Sequence, residues 1–184
     1  MKTHLPMKTH PPMKTICSVN KPRTIHRSRA LALRHEIEEF NADYCATLDA
    51  NDIESWPDYF IEDGLYRVTS RENVELGLPV GLVYAEGRAM MHDRAAAISR
   101  TQMFAPRYML HVLSNTRVTS ESDGEIQSST AFLLMQTLVE GPTTLHLAGA
   151  YHDRFVRIDG ALKLAERQVV HDTNILANDL VYPV

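Results

Sequence analysis

The sequence predicts an α+β fold in which helices come first and a strongly curved, mostly antiparallel sheet follows. Tyr108 to Asp172 reads as four long strands joined by three turns, Ser122-Asp123-Gly124, Glu140-Gly141-Pro142 and Asp159-Gly160. Runs rich in Val, Leu, Thr, Phe and Tyr flank each turn, as hairpins require. The turns space the strands at roughly 12 to 16 residues, or about 40 to 50 Å, against a usual length of about five or six. Right-handed twist accumulates along strands of that length, so the sheet must curl around something. The preceding segment has helical periodicity and supplies what it curls around, giving a cone-like barrel.

Taken in order, the chain opens on a six-residue repeat: Met1-Lys2-Thr3-His4-Leu5-Pro6, Met7-Lys8-Thr9-His10-Pro11-Pro12 and Met13-Lys14-Thr15. Its prolines forbid an amphipathic transit helix, and it holds no apolar run for secretion. Residues 1–28 read as a basic arm outside the fold, and 29–184 as a single domain. From Arg29, the spacing of Leu33, Ile37, Phe40, Tyr44 and Leu48 predicts one apolar helical stripe ending near Asp49. Asp52 can cap a short second helix holding Ile53, Trp56 and Phe60, with Pro57 in its first turn or at a kink. Glu62-Asp63-Gly64 reads as a turn, Leu65 to Ser70 as a strand, and Gly77 to Gly81 as a break before a short strand, Leu82 to Ala85. Arg88 to Gln102 reads as a third helix. In the third long strand Leu145, Leu147, Tyr151 and Phe155 form the expected core face, and Gly149 marks a bulge or a close helix approach. Trp56 is expected in the core. Asn174 to Val184 is apolar and is either tied down by a partner or trailing.

Composition sets the outer limits. The chain has 184 residues, 44% hydrophobic, with net charge −4, enough for one domain with a sizeable core. Residues 1–35 carry eight Lys or Arg and no acid, leaving eleven basic against twenty-three acidic residues in the rest. An acidic folded part points away from nucleic acid. No apolar run approaches about 18 residues, so no membrane span is expected. Cys17 and Cys45 are the only cysteines, which suits a reducing cytoplasm rather than a disulfide framework.

Three stretches then carry a resemblance. They are Leu48-Asp49 through Trp56, Tyr59-Phe60, Asp63 and Tyr66-Arg67-Val68; His111 to Val118; and Gly149 to Gly160 leading to Ala165-Glu166-Arg167. From about Glu36 to its C-terminal end the chain resembles the small (beta) subunit of aromatic-ring-hydroxylating dioxygenases. Tyr66-Arg67-Val68-Thr69, Arg71-Glu72-Asn73, Gly77-Leu78 and Met91-His92-Asp93-Arg94 are similar to the branch attacking aromatic acids such as terephthalate or salicylate. The resemblance implies a cystatin-like, nuclear-transport-factor-2-like (NTF2-like) cone and a mainly structural role. It also implies a catalytic alpha subunit carrying a Rieske [2Fe-2S] cluster and a mononuclear iron, in a hexamer with three subunits of each kind. NAD(P)H would supply electrons through a separate reductase or ferredoxin.

The residues themselves bear on whether this chain could hold iron. A Rieske cluster needs Cys-x-His and Cys-x-x-His pairs, but Ser18-Val19 follow Cys17 and Ala46-Thr47-Leu48 follow Cys45. A mononuclear iron needs two His and a carboxylate on one face. The candidates are His111, His146, His152, His171, Asp153 and Asp172. His146 and His152 share strand parity but lie about 20 Å apart, whereas a cross-strand pair such as His111 with His171 stays open. The expectation is no metal and no cofactor in this chain.

Two other readings compete. A stand-alone cone isomerase or dehydratase would use a base and an oxyanion donor, for which Tyr44, Asp58, Tyr59 and His111 are the candidates. A small-molecule binding module would show a large apolar cavity. Arg117, Asp153, Arg154, Arg157, Glu166 and Arg167 are expected on the outer face of the sheet. There they would be solvated in a lone domain or would pair with neighbouring subunits in a complex.

Overall fold

The computed structural model describes residues 27–101, 105–176 and 182–184. The repeat-bearing arm, Cys17 and the expected end of the third helix at Gln102 lie outside the described residues. Helix α1 runs Arg27–Asp49, starting two residues before the expected boundary, and a 3₁₀ turn spans Ile53–Tyr59. Strand β1 (Phe60–Ser70), a short helix α2 (Arg71–Glu75), strand β2 (Val83–Glu86) and helix α3 (Arg88–Thr101) follow. The meander is β3 (Arg107–Ser122), β4 (Glu125–Leu138), β5 (Thr143–Ile158) and β6 (Ala161–His171).

One sheet of order β2-β1-β6-β5-β4-β3 contains all six strands. Every neighbouring pair is antiparallel except β1 with β6, which is parallel. Two hairpin turns have the chemistry the sequence announced. Asp123-Gly124 and Asp159-Gly160 both hold positive φ at their two central residues, the conformation that two-residue hairpins favour.

The buried stripe of α1 is Leu33, Ile37, Asn41, Tyr44, Cys45 and Leu48, and it packs on the inner face of the sheet. Phe40 meets Phe155 edge-on at 5.1 Å, and Trp56 meets Tyr66 at 4.9 Å. Trp56, Tyr44, Tyr66, Tyr151, Phe60, Phe132 and Phe155 are among the largest fully buried side chains. The main chain of Val184 is seated in this interior, where its N–H donates to the Tyr66 hydroxyl at 2.8 Å and its carbonyl accepts from Tyr44 at 3.1 Å. Val184 is therefore held by the cone itself, contrary to the expectation of a partner or a trailing end, while residues 177–181 lie outside the described residues.

Several expectations are corrected. Glu62-Asp63-Gly64 is not a turn between elements: it lies inside β1, where the pairing with β6 slips between Phe60 and Leu65. Leu145 is not core. The β4–β5 register shifts so that Leu134 faces Leu147 and Met135 faces Leu145, leaving His146 as the extra residue, buried, with Leu145 54% exposed. Gly149 sits beside a strand rather than a helix. A Cβ there would lie 2.2 Å from the Val170 carbonyl oxygen and 2.8 Å from the His171 Cα.

Candidate functional site

The interior of the cone is where a ligand of a stand-alone enzyme would sit, and a buried ion pair occupies it. On β5 the alternation Tyr151, Asp153, Phe155 turns all three side chains inward, and β6 places Arg167 opposite Asp153. Arg167 donates from Nε to Asp153 Oδ1 at 2.9 Å and from Nη2 to Oδ2 at 2.8 Å, with both side chains fully buried. The same Nη2 also donates to Asn41 Oδ1 on α1. Asn41 Nδ2 reaches Thr130 Oγ1, which donates to Thr116 Oγ1 at 3.2 Å. The guanidinium lies between the rings of Tyr44 and Tyr151, 4.1 and 4.2 Å from their centroids.

Electrostatics hold the cluster together. Burial alone would lower the Arg167 pKa, but attraction to Asp153 and the hydrogen bonds Arg167 donates to it outweigh that and hold the group cationic. Burial drives the Tyr44 and Tyr151 hydroxyls well above their ordinary range and the Cys45 thiol up to about 12. A general acid or base works best with a pKa near ambient pH, and burial moves these groups away from it. Tyr44 is further committed by accepting a hydrogen bond from Trp56 Nε1 at 2.8 Å.

The four candidates for stand-alone catalysis do not converge. The rings of Tyr44 and Tyr59 are adjacent, 5.2 Å apart, but the Tyr59 hydroxyl bonds to Thr47 Oγ1 at 2.7 Å and to the Asp43 carbonyl. Asp58 is exposed, and its carbonyl oxygen accepts from Lys163. His111 belongs to a different contact: its Nδ1 is 2.6 Å from Asp49 Oδ1, and its main-chain N–H donates to Oδ2. Two surface grooves of about 630 and 440 Å³ flank α1, one lined by Leu31 and Glu38, the other by Asp43 and Tyr59. Neither is lined by Tyr44, Tyr151 or Arg167.

The candidate iron ligands are scattered. His146 is buried at the register shift while His152 lies on the outer face, so their shared parity is broken. His111 on β3 and His171 on β6 are not neighbours, because β4 and β5 stand between them. Asp153 serves Arg167, and Asp172 serves Arg71 through bonds of 2.6 and 2.8 Å. Among the described residues no group of three His, Cys, Asp or Glu could hold a metal ion. These residues do not fit the iron centres of a ring-hydroxylating oxygenase.

The set expected on the outer face divides. Asp153 and Arg167 are core. Arg154 pairs with Glu125 at 2.9 Å and with Glu166 at 3.6 Å, and Arg157 chelates Glu36 of α1 through two bonds of 2.6 Å. Arg117 remains exposed. That face also has an apolar part, which charge does not signal. Tyr108, Leu110 and Val112 of β3 point outward with Leu133 and Leu145 beside them, and Tyr108 is 70% exposed. Their strict alternation with Met109, His111 and Leu113 was the available signal.

With this geometry in place, comparison with known proteins is decisive. The model of the SnoaL-like domain family matches residues 29–168. The small subunit of anthranilate 1,2-dioxygenase from Burkholderia cepacia is 30% identical over 77% of this chain and 88% of its own length. The beta 1 subunit of the terminal oxygenase component of terephthalate 1,2-dioxygenase from Comamonas sp is 32% identical over 81% and 97%. The chain belongs to the small (beta) subunits of aromatic-ring-hydroxylating dioxygenases. A solved beta subunit of this kind from Novosphingobium aromaticivorans superimposes with a TM-score of 0.78 at 31% identity, covering 85% of this chain and 99% of that one. The small subunit thus has the SnoaL/NTF2-like cone, with the Asp153–Arg167 pair buried in its interior. No helix among its described residues is long and apolar enough to cross a membrane.

Proposed function

We propose that this small subunit contributes no reacting group and acts by assembly. It packs against a large subunit that carries the Rieske [2Fe-2S] cluster and the mononuclear iron, with three subunits of each kind. The complex hydroxylates an aromatic acid with dioxygen, using electrons from NAD(P)H delivered through a reductase or ferredoxin in the cytoplasm. The relatives named for anthranilate and terephthalate support an aromatic acid as substrate.

The observation that carries this reading is the contrast between the two faces of one sheet. Inside, Arg167 and Asp153 are fully buried between Tyr44 and Tyr151, in the space a substrate would need. Outside, the large apolar side chains of β3 to β5 lie open to solvent. Contiguous apolar surface of that kind marks an interface, and here it is what a large subunit would cover. Co-purification of tagged small subunit with its large subunit tests the reading, with mass, iron content and turnover measured for the complex and for each part.

A further inference from the structure

We propose that Arg117 is the charged anchor of the large-subunit contact, pairing with an Asp or Glu carboxylate of that subunit, and that a bulge at Asn115 turns it toward the partner. This rests on the reading that the large subunit covers the apolar face of β3 to β5. In β3, Ser114 stands opposite Ala131 of β4, and Arg117 opposite Ser129. Two residues, Asn115 and Thr116, therefore face the single residue Thr130, which makes a β-bulge. Asn115 holds it with a φ of 56°, a left-handed conformation that Asn tolerates better than most side chains. The extra residue inverts the alternation of the strand. Thr116 turns inside, where its buried hydroxyl accepts from Thr130, and Arg117 turns outside and is exposed. Without the bulge Arg117 would stand opposite Ser128, which is buried.

The outward row of β3 then reads Tyr108, Leu110, Val112, Ser114 and Arg117, all exposed. At about 3.3 Å per residue, with the bulge counted as one, the row is about 27 Å long. A standard interface covers about 800 Å² per partner, which is roughly 30 Å across. One partner seated on the apolar part of the row therefore covers Arg117 as well.

Its own chain gives this guanidinium nothing to bond. Among the described residues no ion pair or side-chain hydrogen bond reaches Arg117. Its neighbours across β4 and β5 are Ser129 and His152, and Glu125, on the same face of β4, is committed to Arg154 at 2.9 Å. A guanidinium that is covered without an acceptor loses its hydration for no return, so the covering partner must bring the acceptor. A carboxylate matches the planar fork and neutralises the charge. Apolar side chains at the centre of a contact with an Arg at its end is also ordinary interface anatomy.

The test is titration of the large subunit with the full-length small subunit at low and high salt, wild type beside Arg117→Ala, Arg117→Glu, Asn115→Gly and Asn115→Val. Arg117→Ala should weaken capture by about tenfold, and Arg117→Glu by about a hundredfold or more. Both losses should shrink as salt rises, which a merely structural defect would not do. Asn115→Gly keeps the left-handed turn and should bind as wild type does, whereas Asn115→Val disfavours it and should bind as weakly as Arg117→Ala. If Asn115→Val fails to fold, the Arg117 variants decide, because the isolated chain should keep its thermal midpoint when an unpartnered surface group is changed. Capture unchanged in Arg117→Glu would overturn the contact and leave the proposed function standing. So would a loss confined to self-association of the small subunit. An Asn115→Val chain that folds and captures like wild type would overturn the role given to the bulge. A wild type that captures no large subunit would overturn this contact and the proposed function together.

Discussion

Arg167 and Asp153 face each other across β6 and β5 in a bidentate pair, 2.9 and 2.8 Å, with neither side chain touching solvent. Removing one partner strands a charge in the core. Asp153→Leu or Arg167→Met alone should each cost about 3–5 kcal/mol, and the double replacement should cost far less than the sum. Urea denaturation of the three variants checks this. Equal and additive losses would show that the pair is not coupled.

Gly149 lies against β6, and Gly149→Ala would put a methyl 2.2 Å from the Val170 carbonyl oxygen. Two backbones cannot yield as a flexible side chain can. The expected loss is about 2 kcal/mol or more, read from the shift in denaturation midpoint. An unchanged midpoint would mean that the strands part without penalty.

Burial lowers the pKa of His171, whose Nδ1 contacts the Thr173 carbonyl at 3.0 Å, and burial likewise lowers that of His152. The unfolded chain then binds more protons than the folded one below about pH 6.5, so stability falls as pH drops through that value. His171→Gln should flatten the decline between about pH 7 and 5.5. A steeper decline in the variant would reverse the sign assigned here.

Leu110 is 56% exposed on β3. Leu110→Asp should leave the stability of the isolated chain within about 0.5 kcal/mol, yet weaken capture of the large subunit by about fivefold or more. Calorimetry on the chain and titration of the complex separate the two effects. Capture at wild-type affinity would remove this face from the interface.

Much of the fold was legible because it rests on local signals. The stripe Leu33, Ile37, Tyr44 and Leu48 and the two Asp-Gly turns are periodicity and turn chemistry, which sequence records directly. What escaped depends on distant registers. The parallel pairing of β1 with β6 joins strands that the whole meander separates. The register shift at His146 reverses Leu145, and no pattern within β5 announces it. Charge alone predicts Asp153 and Arg167 on the outer face. Yet Asp153 shares parity with Tyr151 and Phe155, and that alternation placed it inside. The pairing of His111 with Asp49 joins a helix end to a strand 62 residues away.

The central claim is that this polypeptide supports an oxygenase without holding its metal. The direct measurement is iron per chain, determined by elemental analysis on the purified small subunit and on its complex with the large subunit, with substrate turnover followed in both. Iron and turnover are expected in the complex and neither in the isolated chain. Stoichiometric iron, or turnover, in the small subunit alone would contradict it.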